Sequence, residues 1–195
     1  MGIELKLNNV RASFLVLGGP EDYQGNKQFR WSATALVAAD SPQKKAIEEA
    51  LKATAKAKWE KKWESIYENI IVDPKACCFI DGKRKDYDGY AGHFALTAHR
   101  PQDKGRPIVL DTTMEPIYMP DNSVYAGKAG RIYSGCYVNM KIEFWAQDNK
   151  NGKGLRATLQ VVQRFKDGDA FGGGSAPTAS DFEEIAEGAD ADDLG

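Results

Sequence analysis

The sequence predicts a mainly β domain that carries one long helix and ends in an acidic tail, and three observations predict it. Stretches near 3–16, 28–37, 94–98, 132–146 and 155–161 alternate apolar and polar side chains, the period of two that buries one face of a strand. Only 42–69 repeats its apolar residues at helical spacing over a long run. Charge is divided along the chain. Of 26 basic and 28 acidic residues, nine acids and no base follow Lys166, which leaves 26 bases against 19 acids, a net of +7, over residues 1–166.

The first stretch slips in parity: Ile3, Leu5 and Leu7 share one face, while Val10, Ala12, Phe14 and Val16 share the other. One strand cannot bury both sets, so Asn8-Asn9 marks a bulge or break. Residues 18–26, rich in Gly, Pro and Asn, read as a loop. A second strand over 28–37 places Phe29, Trp31, Ala33, Ala35 and Val37 on one side and Arg30, Ser32 and Thr34 on the other.

Ser41-Pro42 starts the helix with a capping hydroxyl and a proline at the first helical position. Ile47, Leu51, Ala55, Trp59, Trp63 and Ile66 form its inner stripe, and Lys52, Lys56, Lys58, Lys61 and Lys62 its outer face. A charged loop over 81–89 precedes a short strand with Phe94, Leu96 and Ala98 inward. A second basic loop over 100–107 contains Arg100, Lys104 and Arg106 and leads into Ile108-Val109-Leu110. Residues 111–130, punctuated by Pro116, Pro120, Gly127 and Gly130, are irregular.

The strongest local pattern lies in 132–161. Ile132, Cys136, Val138, Met140, Ile142, Phe144 and Ala146 make an apolar face; Arg131, Tyr133, Tyr137, Asn139, Lys141, Glu143 and Trp145 make the other. After the turn at Asn149-Lys150-Asn151-Gly152, Leu155, Ala157, Leu159 and Val161 point inward and Arg156, Thr158, Gln160 and Arg164 outward. A hairpin centred there sets Trp145 opposite Arg156, Tyr137 opposite Arg164 and Lys141 opposite Gln160. Aromatic rings interleaved with cations stack unpaired bases while holding phosphates, and double helices hide those ring faces. The alternative is that the rings pack under the helix or a loop as a second small core. A basic body attracts polyanions, and a tethered acidic run competes for the same surface or serves only solubility.

Other chemistry is thinly supported. Cys77, Cys78 and Cys136 form no metal or redox spacing, His93 and His99 lack a second ligand pair, and neither a metal nor a cofactor is expected. Asp81, Asp86 and Asp88 supply the alternative of a metal-dependent nuclease. A protein-interaction module that binds no nucleic acid is a second alternative. No apolar run approaches the roughly 20 residues that span a bilayer, and the first residues lack a signal pattern, so no membrane contact and a cytoplasmic location are expected. The expected organisation is a binding domain over 1–171 and a disordered tail over 172–195, Gly/Ala-rich and poor in large apolar groups.

Four stretches carry a family resemblance: Asn9-Val10-Arg11-Ala12-Ser13-Phe14, Gly92-His93-Phe94-Ala95-Leu96-Thr97-Ala98, Tyr133-Ser134-Gly135-Cys136-Tyr137-Val138-Asn139 and Gly168-Asp169-Ala170-Phe171-Gly172-Gly173. Together they make the chain similar to a family of phage single-stranded DNA-binding proteins first catalogued as a domain of unknown function. The resemblance implies an OB-fold-like, partly open five-stranded barrel with the helix of about 42–69 inserted after the second strand. It implies sequence-tolerant binding of single-stranded DNA in replication and recombination, in the host cytoplasm, with no enzymatic activity and with a homo-oligomer allowed. Tyr133, Tyr137 and Trp145 are the expected stacking rings, with Trp31 and Phe94 either core or platform. Arg131, Lys141, Arg156, Arg164, Arg100, Lys104 and Arg106 are the expected phosphate contacts. The tail is implied to touch replication and recombination proteins through Asp181, Phe182, Glu183, Glu184, Asp190, Asp192, Asp193 and Leu194. Tails of that family often finish on phenylalanine; this chain ends Asp192-Asp193-Leu194-Gly195, with Leu194 or Phe182 in that role.

Overall fold

Period-two alternation becomes seven strands: β1 (Ile3–Asp22), β2 (Phe29–Ala38), β3 (Phe79–Asp81), β4 (His93–Pro101), β5 (Ile108–Leu110), β6 (Tyr137–Asn149) and β7 (Gly152–Lys166). A computed structural model of the protein describes residues 2–172. The expected tail past Gly172, with every candidate partner-binding residue from Asp181 to Leu194, lies outside the described residues. The sheet order is β3-β4-β2-β1-β6-β7-β5, and a further pairing of β4 with β7 closes β1, β2, β4, β7 and β6 into a five-stranded barrel. Closure rests on one parallel bridge, His99 with Thr158, where the sequence pointed to a partly open barrel. β3 extends β4, and β5 runs parallel beside β7.

The barrel interior is the alternating set. Leu7, Ala12, Ala33, Ala35, Leu96, Ala98, Val138, Ile142, Phe144, Leu155, Ala157 and Leu159 are fully or almost fully buried. Each large buried aliphatic side chain contributes about 1.5–3 kcal/mol, so closing the barrel is driven by this lining. The parity slip at Asn8-Asn9 is a register shift between Leu7 and Val10 against β6, with Asn9 at φ 51°. Residues 18–22, expected in a loop, instead continue β1 as far as Asp22, paired irregularly with β2.

The helix starts as expected. The Ser41 hydroxyl accepts from the Gln43 and Lys44 amides, and Pro42 opens the first turn. It is not continuous. α1 (Pro42–Trp59) ends where Glu60 turns to φ 46°, a single 3-10 turn spans Glu60–Lys62, and α2 (Trp63–Val72) resumes. Past the break, Tyr67 and Ile70 of α2 join Ile47, Leu51, Ala55 and Trp59 in the main core. The Trp59 indole N–H donates to Asp148 at 2.8 Å, tying α1 to the end of β6.

The β6–β7 hairpin turns where expected, with Trp145 opposite Arg156, but its register then departs. A bulge at Gln160 sets Lys141 opposite Val161, and a second irregularity sets Tyr137 opposite Lys166, in place of Gln160 and Arg164. Beyond the bulge the inward residue is Val162, not Val161. Arg164, expected outward, faces the buried Val138, and its side chain is 13% exposed.

Candidate nucleic-acid interface

Antiparallel pairing of β2 with β4 sets Arg30 opposite Pro101, Ser32 opposite His99 and Thr34 opposite Thr97. With Trp31, Ala33, Ala35, Leu96 and Ala98 turned into the core, these residues form the outer face. The two threonine hydroxyls lock the strands at 3.0 Å. Because β7 joins β4 at His99, the face continues through Thr158 to Arg156 and, one strand further, Trp145.

Three adjoining depressions of about 370, 550 and 410 Å³ cover this face, and all three contain His99. They form one groove. Its cations are Lys27, Arg30, Lys75, Lys85, Arg100, Lys104 and Arg156; its acids are Asp103 and Glu143. Tyr23, Phe29 and Trp145 supply rings along it, and Trp145 is 37% exposed. The Arg30 guanidinium lies 3.4 Å from the Tyr23 ring centroid. Arg156 donates to the Gln147 side chain at 3.2 Å and the Lys75 carbonyl at 2.8 Å, which fixes its direction.

Burial pushes the His99 imidazole down to about 4, and the positive charges of Arg30 and Arg156 push it the same way. The ring is therefore neutral near pH 7. Burial is the larger cause; the smaller push from Arg30 and Arg156 places two guanidinium charges beside the ring, where an anion would be held.

Of the residues expected at the interface, the groove gathers Trp145, Arg156, Arg100 and Lys104. Arg100 also shapes its own loop by donating to the Gly105 and Lys104 carbonyls, each at 2.8 Å. Trp31, 5% exposed, belongs to the core, and Phe94 packs on Phe79 at 5.2 Å against the same core. Arg106 donates to the Gly18 carbonyl and lies over Tyr118 at 4.9 Å. Lys141 pairs with Glu4 at 2.8 Å on the outer side of β1 and β6.

The remaining four residues cluster at the far end of the barrel. Arg131 donates twice to the fully buried Asp111, which also takes Lys128 at 2.9 Å. Burial would raise the Asp111 carboxyl, but Lys128, the Thr112 amide and Arg131 outweigh it and hold the group well below the usual carboxylate range. The Tyr133 hydroxyl donates to the Gly168 carbonyl at 2.8 Å, Arg164 bridges Asp167 and the Arg131 carbonyl, and Lys166 sits 4.7 Å over the Tyr137 ring.

These contacts seat the strap 167–172. Arg11 donates to the Asp169 and Gly135 carbonyls, the Phe171 amide to Ser134, and the Gly172 amide to Asp88. Gly135, at φ 109°, is required: a Cβ there would collide with the Asp169 carbonyl. Phe171 ends the strap against Leu36, Tyr90 and Ala95, with the Arg11 guanidinium 4.3 Å from its ring centroid. Leu36 and Ala95 share the outer parity of Ser32 and His99, about 13 Å along β2 at roughly 3.3 Å per residue.

Tyr23, Lys27, Phe29, Arg30, Lys75, Lys85 and His99 were not expected at the site. The outward parity of Arg30 was the one visible signal. Among the described residues no group of three or more His, Cys, Asp and Glu side chains is placed to hold a metal ion. Asp81 instead accepts from the Lys83 amide, and Asp88 from Gly172. Nor is any described helix long and apolar enough to cross a membrane. Burial pushes the Cys77, Cys78 and Cys136 thiols up, away from the reactive thiolate.

Residues 3–194 match the family described as "Enterobacter phage Enc34, ssDNA-binding protein". The putative protein p50 of Acyrthosiphon pisum secondary endosymbiont phage 1 is 39% identical over 186 residues, covering 94% of this chain and 95% of that protein. The solved structure of the single-stranded DNA-binding protein from bacteriophage Enc34 in complex with ssDNA is similar with a TM-score of 0.69. It is 29% identical and covers 87% of this chain and 89% of its own. The gp2.5 protein of bacteriophage T7, a single-stranded DNA-binding protein, shares the fold with a TM-score of 0.56 at 15% identity, covering 97% of this chain and all of its own.

Proposed function

The chain belongs to the phage single-stranded DNA-binding protein family typified by that of Enterobacter phage Enc34, and from that premise we propose that it coats single-stranded DNA through the His99 groove. One observation carries the assignment to this groove: seven cations against two acids, flanked by rings, on the outer β2–β4 face. In an OB barrel the second and third strands hold oligonucleotides, and here those strands are β2 and β4. Trp145 stacks a base, while Arg156, Arg100, Lys104, Arg30 and Lys75 hold phosphates. Backbone charge and ring stacking both ignore base identity, so binding is sequence-tolerant. Arg131, Tyr133, Tyr137 and Arg164 serve it indirectly by seating the strap.

Residues 1–171 carry this binding, and the acidic residues beyond Gly172 regulate it. Residues 173–195 hold seven acids and no base, and Phe171, just before them, packs on the same outer face as the groove. Linked there, they compete with DNA at high effective concentration until DNA or a protein of replication or recombination displaces them. Asp181, Phe182, Glu183, Glu184, Asp190, Asp192, Asp193 and Leu194 make that partner contact.

A gel-shift series with oligothymidylate and a duplex of equal length, across a range of salt, tests the assignment. Binding of the single strand alone, weakening linearly in log salt, is the expected result. Equal affinity for both forms would remove the role of the rings.

A further inference from the structure

We infer that Phe14 and Tyr87 form a second base-stacking station, so that a bound strand leaves the His99 groove over Lys85 and continues across β1. The inference rests on the groove assignment above and extends it. Phe14 is 52% exposed and Tyr87 50% exposed, and their rings meet edge to face at 4.9 Å. Tyr90 lies behind both, at 6.3 Å from Phe14 and 5.3 Å from Tyr87, and is itself buried against Leu36 and Ala95. Two exposed rings thus stand on a packed base, with their outer surfaces facing solvent.

The backbone at Phe14 is the second observation. Its φ is 47°, the left-handed region where a bulky side chain is an outlier and glycine is the fitting residue. The register shift between Ser13 and Val16 against β2 puts Phe14 there and turns its ring out of the core. Only part of the Phe14 ring is covered by Tyr87 and Tyr90, and strain of this kind collects at sites that bind.

Continuity with the groove identifies the occupant. Lys85 lines the groove with His99 and Arg30, and Tyr87 is two residues away, no more than about 7 Å of chain. From Trp145 on β6, across β7, β4 and β2 to β1, the path takes four strand spacings, about 19 Å. A strand that long lies within the range of roughly 4–16 nucleotides covered by one OB domain. Phosphates passing Lys85 bring the next bases over Tyr87 and Phe14.

Photo-cross-linking of the full chain to oligothymidylate carrying 5-iodouracil, with the linked residues identified by mass spectrometry, tests this. The expected result is adducts at Phe14 or Tyr87 as well as at groove residues such as Trp145. The paired variant Phe14→Gly, Tyr87→Ala should then bind the oligonucleotide about tenfold more weakly. Phe14→Gly relieves the backbone but loses the ring contacts, so its melting temperature should stay within a few degrees of the unmodified chain. Adducts confined to the groove, or unchanged affinity of the paired variant, would overturn the second station and leave the groove standing. No binding by the unmodified chain would overturn both.

Discussion

Trp145 and Arg156 face each other across the β6–β7 ladder, a half-exposed indole beside a guanidinium fixed by Gln147 and Lys75. Replacing Trp145 with alanine should weaken oligothymidylate binding about 5- to 150-fold, the worth of one stacked base. With the ring 37% exposed and outside the buried core, the melting temperature should fall by only a few degrees. A large loss of stability with affinity intact would return the ring to a packing role.

His99 gives the binding a pH dependence with a defined sign. Its folded value, about 4, lies below the usual 6.5, so the unfolded chain takes up the proton first. Stability from this group is complete above about pH 6.5 and declines as pH falls toward 4. A phosphate in the groove offsets Arg30 and Arg156 and draws the value upward, so binding takes up protons. Affinity should therefore rise as pH falls below about 6 toward the free value of about 4, and this rise should shrink in His99→Gln. Fluorescence anisotropy with labelled oligonucleotide at several pH values checks it; an identical profile for both proteins would contradict the placement.

Arg131 separates the two ends of the barrel. Because it serves Asp111 and not the groove, Arg131→Ala should lower the melting temperature while leaving affinity, measured well below that temperature, within about twofold. Asp111→Asn should cost about 1–3 kcal/mol by weakening the bonds to Lys128 and Arg131. The Asp111 carboxyl titrates lower folded than unfolded. Its contribution is present above the ordinary carboxylate value of 3.8 and lost as pH falls further below that value. Denaturant titrations across the acid range measure both effects.

Removal of residues 173–195 keeps the Gly172 bond to Asp88 and deletes seven acids. Affinity should rise about tenfold at low salt, and its salt dependence should steepen, because the tail no longer shares the ion release. Unchanged affinity in a salt-matched titration would leave the tail as a solubility device.

Much of the fold was legible because it is local. The parity slip at Asn8-Asn9, the Ser41-Pro42 helix start and the turn that sets Trp145 against Arg156 are each written within a few residues. The bulge at Gln160 was hidden because Val161 and Val162 are both apolar, so either parity reads as core. The helix break at Glu60 was hidden because Trp59 and Trp63 keep their spacing across it. The candidate site was legible only in part. Ser32 meets His99, and His99 meets Thr158, through register between strands some 60 residues apart in sequence, which no local pattern carries. The alternation holds from Tyr137 onward, but 131–136, expected in the strand, form a turn that carries Tyr133, and the strap 167–172 returns to cover that end, an event set by Gly135 and Arg11.

Chemical-shift mapping of the isotope-labelled protein during titration with oligothymidylate is the most direct measurement. The account predicts that signals of Thr97, His99, Arg156, Thr158 and the Trp145 indole move together, while those of Arg131, Tyr133 and Arg164 stay in place. Shifts centred on Tyr133, Tyr137 and Arg164, with His99 unmoved, would contradict it.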